Sequence, residues 1–531
     1  MFAAQQIPYN QTNAFTKIVL DYLSGAEDLR PFYSHRPSIE GFKKAIQARE
    51  KHPTNRDALV QTLVKQYNHI ESTELVKKNI QSLLSSNSFT VCTAHQPNLF
   101  TGPLYFIYKI LHTVKLAEVL KKELPEYNFV PVYYMGSEDA DFAELNHTYV
   151  NGKKIEWNKL QTGAVGRMVV DKTLVQLVNE LEGQLAVEAH GNDIIGMLRR
   201  CYTNGRSIQE ATFELVNELY GSFGLVVLIP DYPSLKKLMT PVFSDDLFRH
   251  TPATIVKATS EKIEKYYDPQ AYPRDINLFY LVDDIRERIE KKNDEYSILN
   301  TQFSFTEAEL KNELDTHPER FSPNVILRGL YQETILPNLA FVGGGGELAY
   351  WLQLKELFEN YKVPYPVLVL RNSFLVVEEK WQQKISRMGL GLDELFKSET
   401  DIMKSIVQKY SKHKVLLNGN FEKANELFEE IKQQAEAIDP TLSMHVTAIK
   451  ARSLKTLEEL EKKMLRAEKR KFSDQQNQVR KIKEALFPNE GLQERVENIS
   501  GFYAKWGGKF IDELYKNSLS LEQLFTVLVE E

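Results

Sequence analysis

FTVCTAHQPNLFTGPLYFIYKIL, residues 89–111, and FVPVYYMGSEDADFAELNH, residues 129–147, are the two stretches whose reading decides the fold. The first opens on a β-prone run at 89–94, passes through a polar loop holding Pro97, Gly102 and Pro103, and enters an amphipathic stretch at 104–124. The second opens on another β-prone run, 129–135, and passes into an acidic loop. Strand, loop, helix, strand is a βαβ unit with a parallel pair, because parallel neighbours need a crossover of this length.

Working outward, further β-prone runs stand at 224–229, at 339–342 before a helical stretch, and at 367–370 after it. Alternating strands and helices predict an α/β doubly wound parallel sheet, with ligands in the crevice outside the carboxyl ends of the strands. The loops after residues 94, 135, 342 and 370 should line it. The expected core is 86–375. Charged helical sequence dilutes the alternation at about 151–220 and 235–325, which read as helical insertions. Residues 1–85 read as a charged, helical lead-in packed on the core, with Phe15, Ile18, Leu20, Tyr22 and Leu23 before a polar stretch at 36–53.

Residues 376–531 have another composition and read as a helical domain. Phe421, Leu427, Phe428 and Ile431 form an apolar stripe that Pro440 ends, and 441–487 then run without Gly or Pro. One continuous helix of roughly 70 Å follows from 1.5 Å per residue. Its apolar positions Leu457, Leu460, Met464 and Ala467 step by three and four, slip at Phe472, and resume at Val479, Ile482 and Leu486. An antiparallel coiled-coil arm over about 420–487 is expected.

The 531 residues are 42% hydrophobic and 26% charged, an ordinary globular balance, and a net charge of -6 offers no field for nucleic acid. Cys92 and Cys201 form no zinc-type spacing, and Cys92 reads as a small buried hydrophobe within a strand. The absence of a basic leader and of any long apolar run predicts a cytoplasmic protein with no membrane partner. His112 and His445 read as structural or solvated.

Three constellations can carry chemistry. In the first loop, His95, Gln96, Asn98 and Thr101 add directional polar groups beside a helix amino end capped near Thr101 and Gly102, with Pro103 in the first turn. Such an end favours phosphate or carboxylate; equally, the loop is of the kind that only caps its helix. In the second loop Glu138, Asp139 and Asp141 could bind an amine or act as a base, or simply cap a helix. His147 could join them around a divalent ion, but no metal site is assigned. The third combines Arg328 and Gln332 with Gly343, Gly344, Gly345, Gly346, Glu347, Tyr350 and Trp351. Four glycines let backbone approach a ligand, yet neither a Walker A nor a GxGxxG pattern is present. Arg371 and Asn372 end the last strand, where an Arg can clamp an anion or serve a structural ion pair.

HQPNLFTGPLYFIYKI (95–110), FVPVYYMGSEDADFAELNHTYV (129–150), LRGLYQETILPNLAFVGGGGELAYW (327–351) and LFPNEGLQERVENISGFYAKWG (486–507) resemble, in order and spacing, the BshC family of bacillithiol biosynthesis. The resemblance implies a Rossmann-like core, a coiled-coil domain supporting a homodimer, and a carbon–nitrogen ligase adding cysteine to glucosaminyl-malate. It implies substrate contacts from Gln96, Asn98, Thr101, Gly102, Tyr105, Ser137, Glu138, Asp139, Asp141, Asn146, Glu347, Tyr350 and Trp351. His95, Ala140 and Gly345 depart from the expected family pattern of Gln, His and Pro. The resemblance also links Pro488, Gly491, Gln493, Arg495 and Gly507 to a second site, for an adenine nucleotide such as ATP or ADP. Glu138, Asp139 and Asn98 are the expected catalytic residues. Two other readings stand beside this one: a dimeric nucleotide-binding scaffold or sensor without ligase chemistry, and a nucleotidyltransferase-like enzyme, although HxGH is absent from 93–105.

Overall fold

A computed structural model describes residues 2–159, 162–411 and 417–531. Five parallel strands form the central sheet: β1 (Ser88–His95), β2 (Asn128–Met135), β3 (Val226–Leu228), β4 (Asn338–Gly343) and β5 (Val367–Leu370). Their spatial order is β5-β4-β1-β2-β3, which reverses direction between β1 and β4. Cys92 lies opposite Val132 on one side and Phe341 on the other, and the β1–β4 pairing shifts register between Asn338 and Ala340. Every residue of β1 is buried, as expected of a central strand covered on both faces. The core cluster joins Phe89, Val91, Leu339, Val342, Val367 and Val369 to Phe42 and Ile46 of helix Ile39–Glu50 and to Leu116 and Leu120 of α1 (Tyr105–Glu123).

Two compact units emerge. The first comprises residues 1–10, 14–375 and 491–528; the second comprises 11–13, 376–490 and 529–531. Residues 491–528 therefore belong to the first unit. Their buried apolar side chains, among them Ile499, Phe510, Ile511 and Leu514, account for this.

The lead-in is helical as expected from Lys17 onward, but it begins with a strand, Phe2–Pro8. The first insertion holds a hairpin, His147–Val150 with Lys153–Glu156, and helices Lys172–Leu185, Gly191–Cys201 and Ile208–Tyr220. The second is not all helical. It carries a five-stranded antiparallel sheet assembled from Leu278–Val282, Ile285–Lys292, Glu295–Ile298, Ser304–Thr306 and Phe321–Pro323. Ile285–Lys292 hides its strand character because Ile289 is its only buried residue, so charge masks the alternation.

In the second unit, Asn418–Ile438 and Leu442–Lys469 run antiparallel. Lys450 Nζ donates to Glu429 at 2.6 Å and the Leu417 N–H donates to Glu461 at 2.7 Å. The single helix expected over 441–487 is interrupted: a 3-10 turn at Arg470–Phe472 separates Leu442–Lys469 from Ser473–Leu486. The break falls where the apolar phase slips. Val479, Ile482 and Leu486 are buried, whereas almost no residue of the arm's outer helices is. The 28-residue helix is about 42 Å long at 1.5 Å per residue. Among the described residues no helix is long and apolar enough to cross a membrane.

Candidate active site

A cavity of about 490 Å³ lies at the carboxyl ends of the sheet, and all five strands contribute to it. Ala94, His95 and Gln96 come from the end of β1; Gly136, Ser137, Glu138 and Asp139 follow β2; Pro230 follows β3; Gly344, Gly346 and Glu347 follow β4; Arg371 follows β5. The reversal between β1 and β4 opens the crevice, as at the switch point of any doubly wound sheet. Tyr105 and Lys109, one turn apart on α1, face it together.

The loop leading into α1 is strained. Phe100, Thr101 and Gly102 have φ of 50°, 76° and 67°, and the two non-glycine residues cost on the order of 1–3 kcal/mol each. Asn498, fully buried, donates to the carbonyls of Phe100 and Gly102 and holds them. Opposite, Gln96 Nε2 donates to Asp139 Oδ2 at 3.0 Å, and Asp139 Oδ1 accepts the Ala140 N–H at 2.7 Å.

Charge is arranged in two linked groups. Glu138 is buried and paired with Lys236, whose ammonium also donates to the Phe321 carbonyl at 2.7 Å. Burial pushes the Glu138 carboxyl up, while Lys236 and Arg286 pull it back. Near by, Arg167 grips Asp231 through Nε and Nη2 at 2.7 and 2.9 Å. The second group holds Lys109 paired with Glu347, Arg328 bonded to Tyr350, and Arg371 paired with Glu494 at 2.7 Å. Burial, then Lys109, Arg371 and Arg328, hold the His95 imidazole well below its usual range, so it is neutral. Its ring lies against Tyr105 and Phe106, and its Nε2 has no partner. Burial works against the Lys109 charge, which Glu347 supports. Burial also opposes the Arg371 charge, but Glu494 outweighs it.

Of the residues singled out in the sequence, the crevice gathers His95, Gln96, Tyr105, Ser137, Glu138, Asp139, Arg328, Gly344, Gly346, Glu347, Tyr350, Arg371 and Arg495. Others lie elsewhere. Asn98, expected to be catalytic, sits under Gly102, where an added Cβ would meet its own at 2.7 Å, and neither it nor Thr101 lines the cavity. Asp141 caps the short helix Phe142–Leu145, and Asn146 donates to the Trp157 carbonyl at 3.1 Å. Gln332 donates to buried Glu333, Trp351 stacks on Phe341 at 4.5 Å, and the Asn372 N–H donates to His112. Gly343 ends β4 beside Phe341. Apart from the exposed Asp141 cap, these are buried contacts, since polar and aromatic residues near a strand end serve packing as readily as binding. Of the five residues expected at a second site, Arg495 reaches the crevice, Gln493 is buried, and Gly507 caps a helix against His190. Pro488 lies in a turn of the second unit, and Gly491 starts the segment that rejoins the first.

Sequence reading missed Lys109, Lys236, Arg286, Glu494 and Asn498. Lys109 was findable, four residues after Tyr105 on one helix face. Arg286 was not, because its segment read as helical.

Fold and site together define a Rossmann-like α/β protein whose crevice is lined by charged side chains. Residues 2–372 match the family model for the "Bacillithiol biosynthesis BshC, N-terminal Rossmann-like domain", and residues 374–530 match that for the "C-terminal coiled-coil domain". The chain belongs to the BshC family. It is 39% identical over 524 residues to a protein of Flavobacterium johnsoniae, covering 98% of this chain and 99% of that one, and 40% identical over 530 residues to one of Christiangramia forsetii, covering 98% of both. A Salinibacter ruber protein is 30% identical over 538 residues, with 96% of each covered. All three relatives are named "Putative cysteine ligase BshC".

Proposed function

We propose that this chain is a ligase that joins the carboxyl group of cysteine to the amine of glucosaminyl-malate, giving bacillithiol. The observation that carries the reading is the crevice itself, where a carboxylate pair, Glu138 and Asp139, shares one cavity with Lys109, Arg328 and Arg371. An amine must lose a proton to become an amide nitrogen, and Glu138, lifted by burial, is suited to take it. The malate portion is a dicarboxylate and matches the wall to which Lys109, Arg328 and Arg371 bring positive charge.

A carboxylate does not condense with an amine unaided, since its oxygen is a poor leaving group. A nucleoside triphosphate co-substrate would supply the activation: the carboxylate oxygen bonds to its phosphorus as a phosphoanhydride bond breaks, and nucleoside diphosphate or pyrophosphate leaves with the electron pair. The amine nitrogen then forms its bond to the carbonyl carbon, the carbon–oxygen bond to phosphate breaks, and phosphate departs with the electron pair. The amine proton goes to Glu138. In the second unit Leu427, Ile431, Ile438, Leu442, Met444, Ile449 and Leu460 remain exposed on the arm, which supports a homodimer through the coiled coil.

Purified protein incubated with cysteine, glucosaminyl-malate and ATP should yield the thiol product together with ADP or AMP. Absence of product with every nucleoside triphosphate overturns the reading.

A further inference from the structure

The inserted antiparallel sheet sends one arginine into the crevice. Arg286, on strand Ile285–Lys292, donates Nε–H to Ser322 Oγ at 3.0 Å and lays its guanidinium 4.0 Å from the ring centroid of Phe279. Both contacts fix the plane of the fork. Neither occupies its terminal nitrogens, and among the described residues no carboxylate lies within ion-pair distance of them. This sets Arg286 apart from Arg328 and Arg371, whose forks are already engaged by Tyr350 and Glu494. Arg495 lines the same cavity but is exposed and unanchored.

The surroundings of Arg286 are acidic. Asp139 and Glu138 both support its charge, and Glu138 is in turn pulled down by it. Asp139 is aimed by the Ala140 and Asp141 N–H groups on one oxygen and Gln96 on the other, which leaves acceptor capacity toward the cavity. Next to them Ser137 is 1% exposed, lines the cavity, and its Oγ has no partner. A buried hydroxyl without a partner is costly unless a ligand supplies one. An arginine fork, a carboxylate and an unsatisfied hydroxyl at one corner complement a ligand that carries both charges on adjacent atoms. A polyphosphate or a bare dicarboxylate would be repelled by Asp139 and Glu138.

We propose that this corner is an α-amino-acid subsite, with Arg286 receiving the carboxylate and Asp139 the ammonium group of a zwitterion such as cysteine. The inference rests on the ligase reading for the identity of the amino acid, not for the site. It assigns the two substrates to different walls: the zwitterion to the inserted sheet and the loop after β2, and the anionic partner to the wall of Lys109, Arg328 and Arg371.

The test is calorimetric binding to the full chain, with L-cysteine, cysteamine, which lacks the carboxylate, and 3-mercaptopropionate, which lacks the amine. Cysteine should bind about tenfold or more tightly than either, the scale of losing a charge-assisted pair. Arg286→Met should weaken cysteine by a similar factor and leave glucosaminyl-malate within about twofold. Arg286→Lys, which keeps charge but not the fork, should fall between, and Asp139→Asn should lower cysteine affinity alone. Thermal unfolding of each variant separates lost binding from lost folding, and Arg286→Lys serves if Arg286→Met does not fold. Cysteamine binding as well as cysteine, or unchanged cysteine binding in the folded Arg286 variants, overturns the proposal. Arg286-dependent cysteine binding without any amide product keeps the subsite and removes the ligase reading. Product formation with an unaltered cysteine KM in Arg286→Met does the reverse.

Discussion

The side-chain amide of Asn498 donates to the carbonyl oxygens of Phe100 at 2.8 Å and Gly102 at 2.6 Å, so one residue from near the chain's end holds the strained loop that aims Tyr105. The adjoining backbone is tied as well: the Leu104 N–H donates to the Glu497 carbonyl at 2.8 Å. Asn498→Ala leaves two buried carbonyls without a donor, and a loss of about 2–4 kcal/mol in urea unfolding is expected. Asn498→Asp, of the same shape, should cost at least as much, because its carboxylate faces those two oxygens. An unchanged unfolding midpoint in both variants would show that the loop holds itself.

Arg371 and Glu494 form a buried pair in which Glu494 also accepts from Ser373 Oγ at 3.2 Å and the Phe374 N–H at 3.3 Å. Removing one partner strands the other charge in the interior. Glu494→Ala should therefore cost about 3–5 kcal/mol. Replacing both, Glu494→Leu with Arg371→Met, should recover a good part of that stability while still losing affinity for an anionic ligand. Chemical denaturation of the two singles and the double measures this; a double variant less stable than either single contradicts it.

Glu138 and Lys236 set a pH dependence. Burial raises the Glu138 carboxyl and Lys236 lowers it, with the net shift upward. A base works only when ionised, so kcat/KM should rise with pH through a limb lying above the ordinary carboxylate range. Lys236→Met removes the lowering influence and should move that limb further up by about one unit or more; Lys236→Arg should restore it. A limb unmoved by Lys236→Met argues that some other group takes the proton.

The parts of this molecule legible in its sequence are those where local pattern and final environment agree. All five core strands are legible as β-prone runs because a parallel sheet buries both faces, and the loops after four of them could be assigned to one edge from the βαβ rule alone. Ile285–Lys292 gave no such signal, since only Ile289 is buried, and with it Arg286 was lost. Asn98 and Trp351 do not line the cavity, for the converse reason. Their types suit a site, but whether a side chain turns toward the cavity or under Gly102 and onto Phe341 depends on φ values and packing that spacing does not encode. Asn498 and Glu494 act across nearly 400 and more than 120 residues of sequence, respectively, and no local pattern reports such contacts.

The arm yields the last prediction. Leu427, Ile431 and Ile438 fall on one face of Asn418–Ile438, and Leu442, Ile449 and Leu460 on one face of Leu442–Lys469, by the 3.6-residue period. All six are exposed, with Ile438 at 82% and Leu427 at 53%. Covering a Leu or Ile side chain contributes about 1.5–3 kcal/mol, so a second copy seated on these faces has an ample driving force. Sedimentation equilibrium at micromolar concentration should find a dimer. Ile431→Glu with Leu460→Glu should raise its dissociation constant by about 100-fold or more without changing the far-ultraviolet circular dichroism, since neither residue is buried within the unit. A monomeric parent protein at those concentrations would leave the exposed faces to another occupant and remove the homodimer from the proposal.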